Sequence, residues 1–203
     1  MENNNIPDRL QKQLDFIKEI DKEKEIERRT LLSDGSRFEN DAEHAWHMAV
    51  MAILLSEYAN EKIDILKTVS MILIHDIVEI DSGDTYCYDE DGKKTQEERE
   101  KKAANRLFNL LPEDQAEKFY ALWREFEEKK TPEAKFARTM DCVQPTMLNV
   151  ASGGVMWKKN SIKLSQILER NKYTESGSKE LWNYQLNHLI LPNVENGNIK
   201  DDR

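Results

Sequence analysis

Apolar residues recur at helical spacing along most of this chain. Leu10, Leu14 and Ile17 follow the three- and four-residue spacing of an amphipathic helix, which we predict over about residues 9–27. Polar turn residues interrupt the pattern over residues 30–40. Beyond this turn the pattern predicts five longer helices and two shorter ones, over about residues 41–58, 63–80, 95–111, 112–130, 131–150, 161–170 and 178–191.

Several of these helices carry start signals. Caps are predicted at Asn40 or Asp41, at Thr95 and at Thr131. Glu98 stands three residues after Thr95 and completes a capping box, and Pro132 occupies the first position of its helix. Pro145 is expected to end or kink that same helix, because proline removes a helical hydrogen-bond donor.

Turn-forming residues are scarce, and strand signals are weak. The chain of 203 residues contains 7 glycines and 5 prolines, and such low counts suit helices joined by short loops better than many short strands. We therefore predict an all-α fold, a single compact multi-helix bundle over residues 1–203. Its core is expected over about residues 9–150, and the C-terminal helices over about residues 161–191 are expected to pack on it or at an oligomer interface.

The charge balance limits the partners. The formal net charge is −9 and the pI about 5.1, which argues against a nucleic-acid polymer as ligand but allows a small anionic substrate in a local cationic pocket. Two cysteines provide no disulfide framework, and the sequence shows neither a signal peptide nor an apolar run of transmembrane length. We expect a cytoplasmic protein that does not engage a membrane.

A histidine and an aspartate stand together inside an apolar run. His75 and Asp76 follow Met71-Ile72-Leu73-Ile74 and precede Ile77-Val78. An ionised aspartate in this setting is unstable unless a partner offsets its desolvation, and a divalent cation is one such partner. Imidazole and carboxylate together suit Zn, Mn, Fe or Co. A buried structural hydrogen bond is the alternative, and these two residues alone do not decide between the two.

Three segments in a fixed order give the wider pattern. They are Glu43-His44-Ala45-Trp46, then residues 74–84 with His75-Asp76, Glu79 and Gly83-Asp84, and finally residues 134–141, which end on Asp141. This order resembles the HD-domain phosphohydrolases, and the first two segments are most similar to their 5′-deoxynucleotidase-like branch. The resemblance covers about residues 9–150.

The resemblance implies a set of site residues and an activity. The metal ligands would be His44, His75, Asp76 and Asp141. Glu79 and Asp84 would be the catalytic acids beside the phosphate and the attacking water. The implied reaction is metal-dependent hydrolysis of a phosphomonoester, a (deoxy)nucleoside 5′-monophosphate. The divalent ion could be Mn, Co, Zn, Fe or Mg, and the implied assembly is a homodimer or higher homo-oligomer.

The spacing of the acidic residues agrees with these roles. Glu79 is four residues after His75 and lies on the same face of a helix. Asp84 follows Gly83, where the loop can fold back over a cavity. Which of the two acids activates water and which protonates the leaving oxygen stays open. Hydrolysis of a pyrophosphate or cyclic diester, or nucleotide binding without turnover, are the alternative functions.

Three arginines are candidates for the substrate phosphate. The resemblance points to Arg29 or its neighbour Arg28, while Arg37 and Arg138 qualify by their closeness to His44 and Asp141 in the sequence. A surface salt bridge is the alternative for each, because the chain has 39 acidic residues. Thr30 stands where the resembling branch carries an aromatic residue against the sugar.

A further histidine shares a helix face with His44. His47 follows it by three residues, which would allow both to bind one metal. A fifth protein ligand would crowd out water or substrate, so a packed or hydrogen-bonding role is favoured for His47.

Overall fold

The computed structural model describes residues 7–203, and helices dominate this part of the chain. The α-helices are α1 (Asp8–Glu19), α2 (Asp41–Leu55), α3 (Ile65–His75), α4 (Glu79–Ser82), α5 (Glu90–Phe108), α6 (Glu113–Glu128), α7 (Pro132–Ala151), α8 (Val155–Lys159), α9 (Leu164–Arg170), α10 (Thr174–Gly177), α11 (Lys179–Tyr184) and α12 (Leu191–Glu195). Short 3-10 segments occur at Ile20–Glu25, Ser56–Tyr58 and Asp76–Val78, and a π-helical segment at Gln185–Ile190. The predicted all-α class is confirmed.

The first predicted helix ends early, and a 3-10 segment over Ile20–Glu25 and a small β-ribbon follow it. α1 stops at Glu19, and strand β1 (Glu27–Leu31) pairs antiparallel with β2 (Phe38–Asn40) in an irregular register. The predicted continuation to residue 27 is therefore wrong. Successive side chains of a strand point to opposite faces, so β1 turns Thr30 into the protein and leaves Arg29 exposed.

Two predicted caps are confirmed and one is wrong. The Asn40 side chain accepts from the Glu43 N–H, and the Glu43 carboxylate accepts from the Asn40 N–H in return. The Thr131 hydroxyl accepts from the Ala134 N–H. Thr95, by contrast, lies inside α5, because Asp89 caps the helix six residues earlier and accepts two backbone N–H groups.

The apolar segment over residues 63–80 does not form one helix. α3 ends at His75, and a 3-10 turn over Asp76–Val78 leads into the short α4. Pro145 behaves in the opposite way, since α7 continues through it to Ala151. No helix within residues 7–203 combines the length and the apolar character needed to cross a membrane.

Two apolar cores are present in the described chain. The main core lies between α2, α3, α5, α6 and α7, and its largest fully buried side chains are Met48, Met71, Ile72, Leu107, Phe108, Phe126, Phe136 and Met140. The C-terminal core consists of Trp157, Ile162, Leu164, Ile167, Ile190 and Ile199.

The C-terminal segment packs directly on α7. A Cβ atom added at Gly177 would lie 2.4 Å from the Lys135 carbonyl oxygen, so only glycine permits this approach of α10 to α7. The Thr139 hydroxyl donates to the Thr174 carbonyl at 3.0 Å across the same contact. The last third of the chain thus lies against the helix that carries Asp141.

Candidate metal centre

The predicted ligands converge where α2, α3 and α7 meet. His44 is fully buried, and His75, Asp76 and Asp141 are at most 7% exposed. All except His44 line a cavity of about 560 Å³, which Glu79 and Asp84 also line. One nitrogen from each histidine and one oxygen of Asp141 lie within 4.8 Å of one another.

Hydrogen bonds fix the orientation of both imidazole rings. His75 Nδ1 lies 2.7 Å from the Ile72 carbonyl oxygen, which can only accept, so Nδ1 carries the proton. His75 Nε2 is buried and faces Asp76, whose Oδ1 lies 2.9 Å away. His44 Nδ1 lies 2.9 Å from the Gln144 side-chain oxygen, which leaves Nε2 facing Asp141. Each Nδ1 is thus held by an oxygen while Nε2 faces the centre, the arrangement typical of metal-binding histidines.

Gln144 holds its own orientation through a carboxylate. Its Nε2 donates to Glu39 Oε2 at 2.8 Å, which directs its oxygen to His44. The same Nε2 lies 3.2 Å from His47 Nδ1, so His47 hydrogen-bonds to this network. His47 is outside the three-residue donor group, in agreement with the hydrogen-bonding role favoured for it.

The two aspartates bring carboxylate oxygens close to the two histidines. Asp141 Oδ1 lies 3.2 Å from His44 Nε2. Asp76 Oδ1 lies 2.9 Å from His75 Nε2, and Asp76 Oδ2 lies 4.0 Å from His44 Nε2, but Asp76 lies outside the three-residue donor group. Imidazole nitrogens and carboxylate oxygens together fit a divalent cation of the Mn, Fe, Co or Zn type.

Electrostatics keep the two aspartates ionised. Burial raises the pKa of Asp141, but Arg170 and Arg138 outweigh it and hold this pKa well below its usual range. Burial likewise opposes ionisation of Asp76, and its pKa is nevertheless lowered by His75 and Arg28. Both carboxylates are thus in the charged form that a cation requires.

Arg28 is a buried bridge between carboxylates. Its Nη1 donates to Asp41 at 2.9 Å and to Asp76 at 3.1 Å, and its side chain is only 11% exposed. The two arginine candidates therefore lie in different places. Arg28 points inward to Asp76, and Arg29 is exposed on the cavity wall.

Glu79 and Asp84 face the same cavity from a helix and a loop. Burial, with repulsion from Asp76, raises the pKa of Glu79 well above its usual range, and burial also raises the pKa of Asp84. Glu79 Oε2 is buried without a hydrogen-bond partner. Gly83 sits between the two segments at φ +70°, ψ 152°, a backbone region that is essentially restricted to glycine.

Known proteins are similar to this chain in sequence and in fold. Residues 20–182 match the family model described as HD domain. The chain belongs to the HD-domain family. A solved structure, described as a predicted metal-dependent phosphohydrolase from Magnetospirillum magnetotacticum MS-1, is 47% identical, with a TM-score of 0.91. The match covers 96% of this chain and 99% of that one.

Curated relatives carry a more specific name. The 5′-deoxynucleotidase HDDC2 of Homo sapiens is 33% identical over 105 residues, which are 52% of this chain and 50% of that protein. The protein of the same name from Dictyostelium discoideum is 29% identical over 134 residues, 63% of this chain and 70% of its own length. This HD-domain chain matches about half the length of its human relative.

The remaining arginine candidates lie in different environments. Arg138 Nη1 donates to Asp141 Oδ2 at 2.6 Å and lines the cavity. Arg37 does not reach it: its side chain is 54% exposed and pairs with Glu43, and it is absent from the described residues that line the cavity. The structure therefore does not bring Arg37 together with the other phosphate candidates, because the β-ribbon directs this side chain into solvent.

The sequence reasoning missed two groups that contact the centre of this HD domain. Gln144 lies three residues after Asp141 on the same face of α7, a spacing that could have revealed it. Arg170 approaches from α9, and its Nη2 donates to Asp141 Oδ2 at 2.9 Å. No local pattern links residues 29 positions apart, so only the tertiary structure reveals Arg170.

Part of the cavity wall is aromatic. Tyr86, Tyr88, Trp157 and Tyr173 line the cavity, and the rings of Tyr86 and Tyr88 meet edge to face at 5.3 Å. Trp157 belongs to the C-terminal core. The cavity therefore combines the charged groups of the centre with an aromatic part of its wall.

Proposed function

We propose that this HD-domain chain is a metal-dependent phosphohydrolase that converts a (deoxy)nucleoside 5′-monophosphate to nucleoside and phosphate. The observation that carries the proposal is the pair of buried histidines whose Nδ1 atoms are held by oxygens of Gln144 and Ile72, so that their Nε2 atoms face the carboxylates of Asp141 and Asp76. The 5′-deoxynucleotidase name of the curated relatives supports the choice of substrate.

His44, His75, Asp76 and Asp141 are the proposed metal ligands. Two imidazoles and two carboxylates favour Mn, Fe, Co or Zn over Mg, which prefers oxygen ligands. A divalent cation held there would supply Lewis-acid activation of water and of the phosphoryl group. The chain itself holds both imidazole rings and both carboxylates in their orientations before substrate arrives.

The acids and arginines of the cavity provide the other parts of a phosphohydrolase. Arg29 and Arg138 supply positive charge on the wall, which attracts and orients the phosphate. Glu79 and Asp84 are placed to transfer the two protons of hydrolysis, one from the attacking water and one to the leaving oxygen. The aromatic part of the cavity wall gives the nucleoside an apolar surface on which its base can stack.

A substrate with more than one phosphate group is the second candidate. Basic side chains surround the cavity more fully than one phosphate needs, at Arg28, Arg29, Lys93, Arg138, Arg170 and Lys172. Two of these, Lys93 and Lys172, pair with Glu90 and Glu169 instead of with Asp76 or Asp141, so they could bind a second phosphate of a pyrophosphate substrate.

Phosphate release from a panel of ribo- and deoxynucleoside monophosphates tests the proposal. The chelated protein would be assayed with Mn, Fe, Co, Zn or Mg added back, beside His75→Ala and Asp76→Ala. Arg37→Ala is the matched control, because this residue is exposed and away from the cavity. We expect turnover that requires metal, is lost in both site variants and persists in the control.

Other outcomes would redirect the assignment. Release from pyrophosphates or cyclic diesters alone would favour the second candidate. Failure of every substrate with every metal, while nucleotides still bind, would leave a nucleotide-binding protein without turnover and end the hydrolase proposal.

A homodimer through the outer face of α2 is the proposed assembly. Trp46, Val50, Ile53 and Leu54 are 39–67% exposed on this face, and residues 44–56 contain no charged side chain. Copies of a chain with net charge −9 repel one another least where a surface is uncharged, and a two-fold axis places such a face against itself. Sedimentation velocity should show a dimer that Ile53→Glu dissociates and Ile17→Glu, at an equally exposed position on α1, does not.

A further inference from the structure

The two oxygens of the Asp141 carboxylate have different partners. Oδ2 accepts from Arg138 Nη1 at 2.6 Å and from Arg170 Nη2 at 2.9 Å. Oδ1 faces the centre, 3.2 Å from His44 Nε2. Because two guanidinium groups occupy Oδ2, only Oδ1 is presented toward the histidines. The arginines thereby set the angle of the carboxylate.

The two arginines reach Asp141 in different ways. Arg138 lies one turn earlier on α7 itself and would be present in any helix of this sequence. Arg170 is the last residue of α9 and contacts the α7 backbone as well, since its Nη2 lies 3.3 Å from the Asp141 carbonyl oxygen. Its Nη1 lies 3.4 Å from Cys142 Sγ. Arg170 therefore fixes both the side chain and the backbone at Asp141.

Pro145 explains why that carbonyl is accessible. In a regular α-helix the Asp141 carbonyl would accept from the N–H four residues later, and at that position stands Pro145, which has no N–H. Arg170 Nη2 is the donor that takes its place. The proline that leaves α7 intact thus creates the acceptor for Arg170.

A buried amide ties the position of α9 to α7. Gln185 Nε2 donates to the Cys142 carbonyl, to Thr146 Oγ1 and to Asn171 Oδ1, at 2.8–3.1 Å. Asn171 directly follows Arg170, and Leu164 and Ile167 on the same helix are buried in the C-terminal core. The packing of the last third of the chain therefore determines where the Arg170 guanidinium lies.

We propose that Arg170 is a positioning residue that holds Asp141 for metal binding through Oδ1 alone, so that the C-terminal segment completes the metal centre. This proposal rests on the metal site of the proposed function. Arg170 uses two nitrogens of a planar group, Nη2 at Asp141 and Nη1 at Cys142 Sγ, whereas lysine has a single nitrogen. Charge alone should therefore not replace Arg170.

Metal binding to the full chain tests this role independently of turnover. Chelated wild type, Arg170→Lys and Arg170→Gln would be titrated with Co²⁺ by calorimetry, and their visible Co²⁺ spectra compared. Removing a partner of a metal ligand costs about 10–100-fold in affinity, and we expect that loss in both variants. A changed Co²⁺ spectrum in Arg170→Lys should accompany it, because the released carboxylate alters the coordination. Arg124→Lys, on the exposed face of α6, is the matched control and should match wild type.

The outcomes separate this proposal from the proposed function. Weaker Co²⁺ binding and a changed spectrum in Arg170→Lys support the positioning role, even if no nucleotide is hydrolysed by wild type. Wild-type affinity and spectrum in Arg170→Lys would overturn it. Thermal unfolding checks that each variant is folded. If one variant does not fold, the other variant tests the proposal, because either substitution removes the contacts that Arg170 makes through its two nitrogens.

Discussion

The main core and the C-terminal core differ in the helices that build them. The long helices that surround the main core, α2, α3, α5, α6 and α7, have 11 to 20 residues, whereas α8 to α12 have four to seven. Helices of such short length are marginal by themselves, so α8 to α12 depend on tertiary contacts, most directly with α7. The ionisable groups of the centre lie mainly on or beside the long helices, whereas Arg170 and part of the cavity wall come from the short ones. Rigid elements thus hold the chemistry, and the docked segment shapes access to it.

The largest effect should come from the acids on the main-core side. Glu79→Gln and Asp84→Asn should each lower kcat by about 10²–10⁴-fold, because each removes a proton-transfer group, while Co²⁺ affinity stays near wild type. Steady-state kinetics and calorimetry measure the two quantities. Glu90→Gln, an exposed acid on the same cavity wall, is the control and should be neutral. Full activity in both site variants would refute the assignment of these acids.

Truncation in the C-terminal core tests whether the two cores unfold together. Ile167→Ala should lower the free energy of unfolding by about 2–5 kcal/mol, because the side chain is 1% exposed. We propose that the chain is a single domain, so unfolding should remain one transition in calorimetry. Two separate transitions would show instead that the C-terminal segment unfolds by itself.

A buried acid on α5 should make stability depend on pH. Burial raises the pKa of Glu100 to about 7, above the usual value near 4.5 for an unfolded chain. The folded state therefore favours the proton, and stability is lost as pH rises from 4.5 through 7. Glu100→Gln should be on the order of 2 kcal/mol more stable than wild type at pH 8 and nearly equal to it at pH 4.5. Chemical denaturation at both pH values gives the comparison, and a gain that does not vary with pH would contradict it.

A matched pair of arginines separates the cavity wall from the β-ribbon surface. Arg29→Ala should raise KM about 10-fold, because it removes positive charge that faces the substrate phosphate. Arg37→Ala should leave KM unchanged, since Arg37 pairs with Glu43 in solvent. Equal effects of the two substitutions on KM would show that Arg29 has no special contact with substrate.

The smallest effect is expected at the cap of α2. Asn40→Ala should cost about 1 kcal/mol in unfolding free energy, because the Glu43 N–H loses its acceptor. Thr131→Ala on α7 provides a comparison of the same type and size. Denaturant unfolding measures both, and a cost well above 2 kcal/mol at Asn40 would indicate that the capping box also supports the metal centre.

The sequence predicts most of the long helices because they depend on local spacing, whereas the proposed metal ligands follow from the family resemblance and stay a prediction. The caps at Asn40 and Thr131 need only neighbours in the chain. The cap at Thr95 is wrong because a competing carboxylate at Asp89 lies just upstream. The break at Asp76 is also local, but the apolar run around it hides the break from any periodicity.

The parts that could not be predicted depend on contacts between distant segments. The β-ribbon has only five and three residues in its strands, too few for a clear alternating pattern, so the inward direction of Arg28 was not foreseen. Arg170 comes from a short helix that is placed by the C-terminal core. Gly177 likewise owes its importance to the approach of α10 to the Lys135 backbone.

The π-helical segment over Gln185–Ile190 lets this part of the chain absorb one change in length. A π turn contains more residues per turn than the α-helix around it, as if one residue had been inserted. Deleting one residue there would return the turn to α-helical geometry and leave Ile190 and Ile199 directed into the C-terminal core. A deletion in a regular α-helix would instead rotate everything beyond it by about 100°, because that helix has 3.6 residues per turn. Among single-residue deletions in the helices of the last third of the chain, those in this segment should therefore be tolerated best.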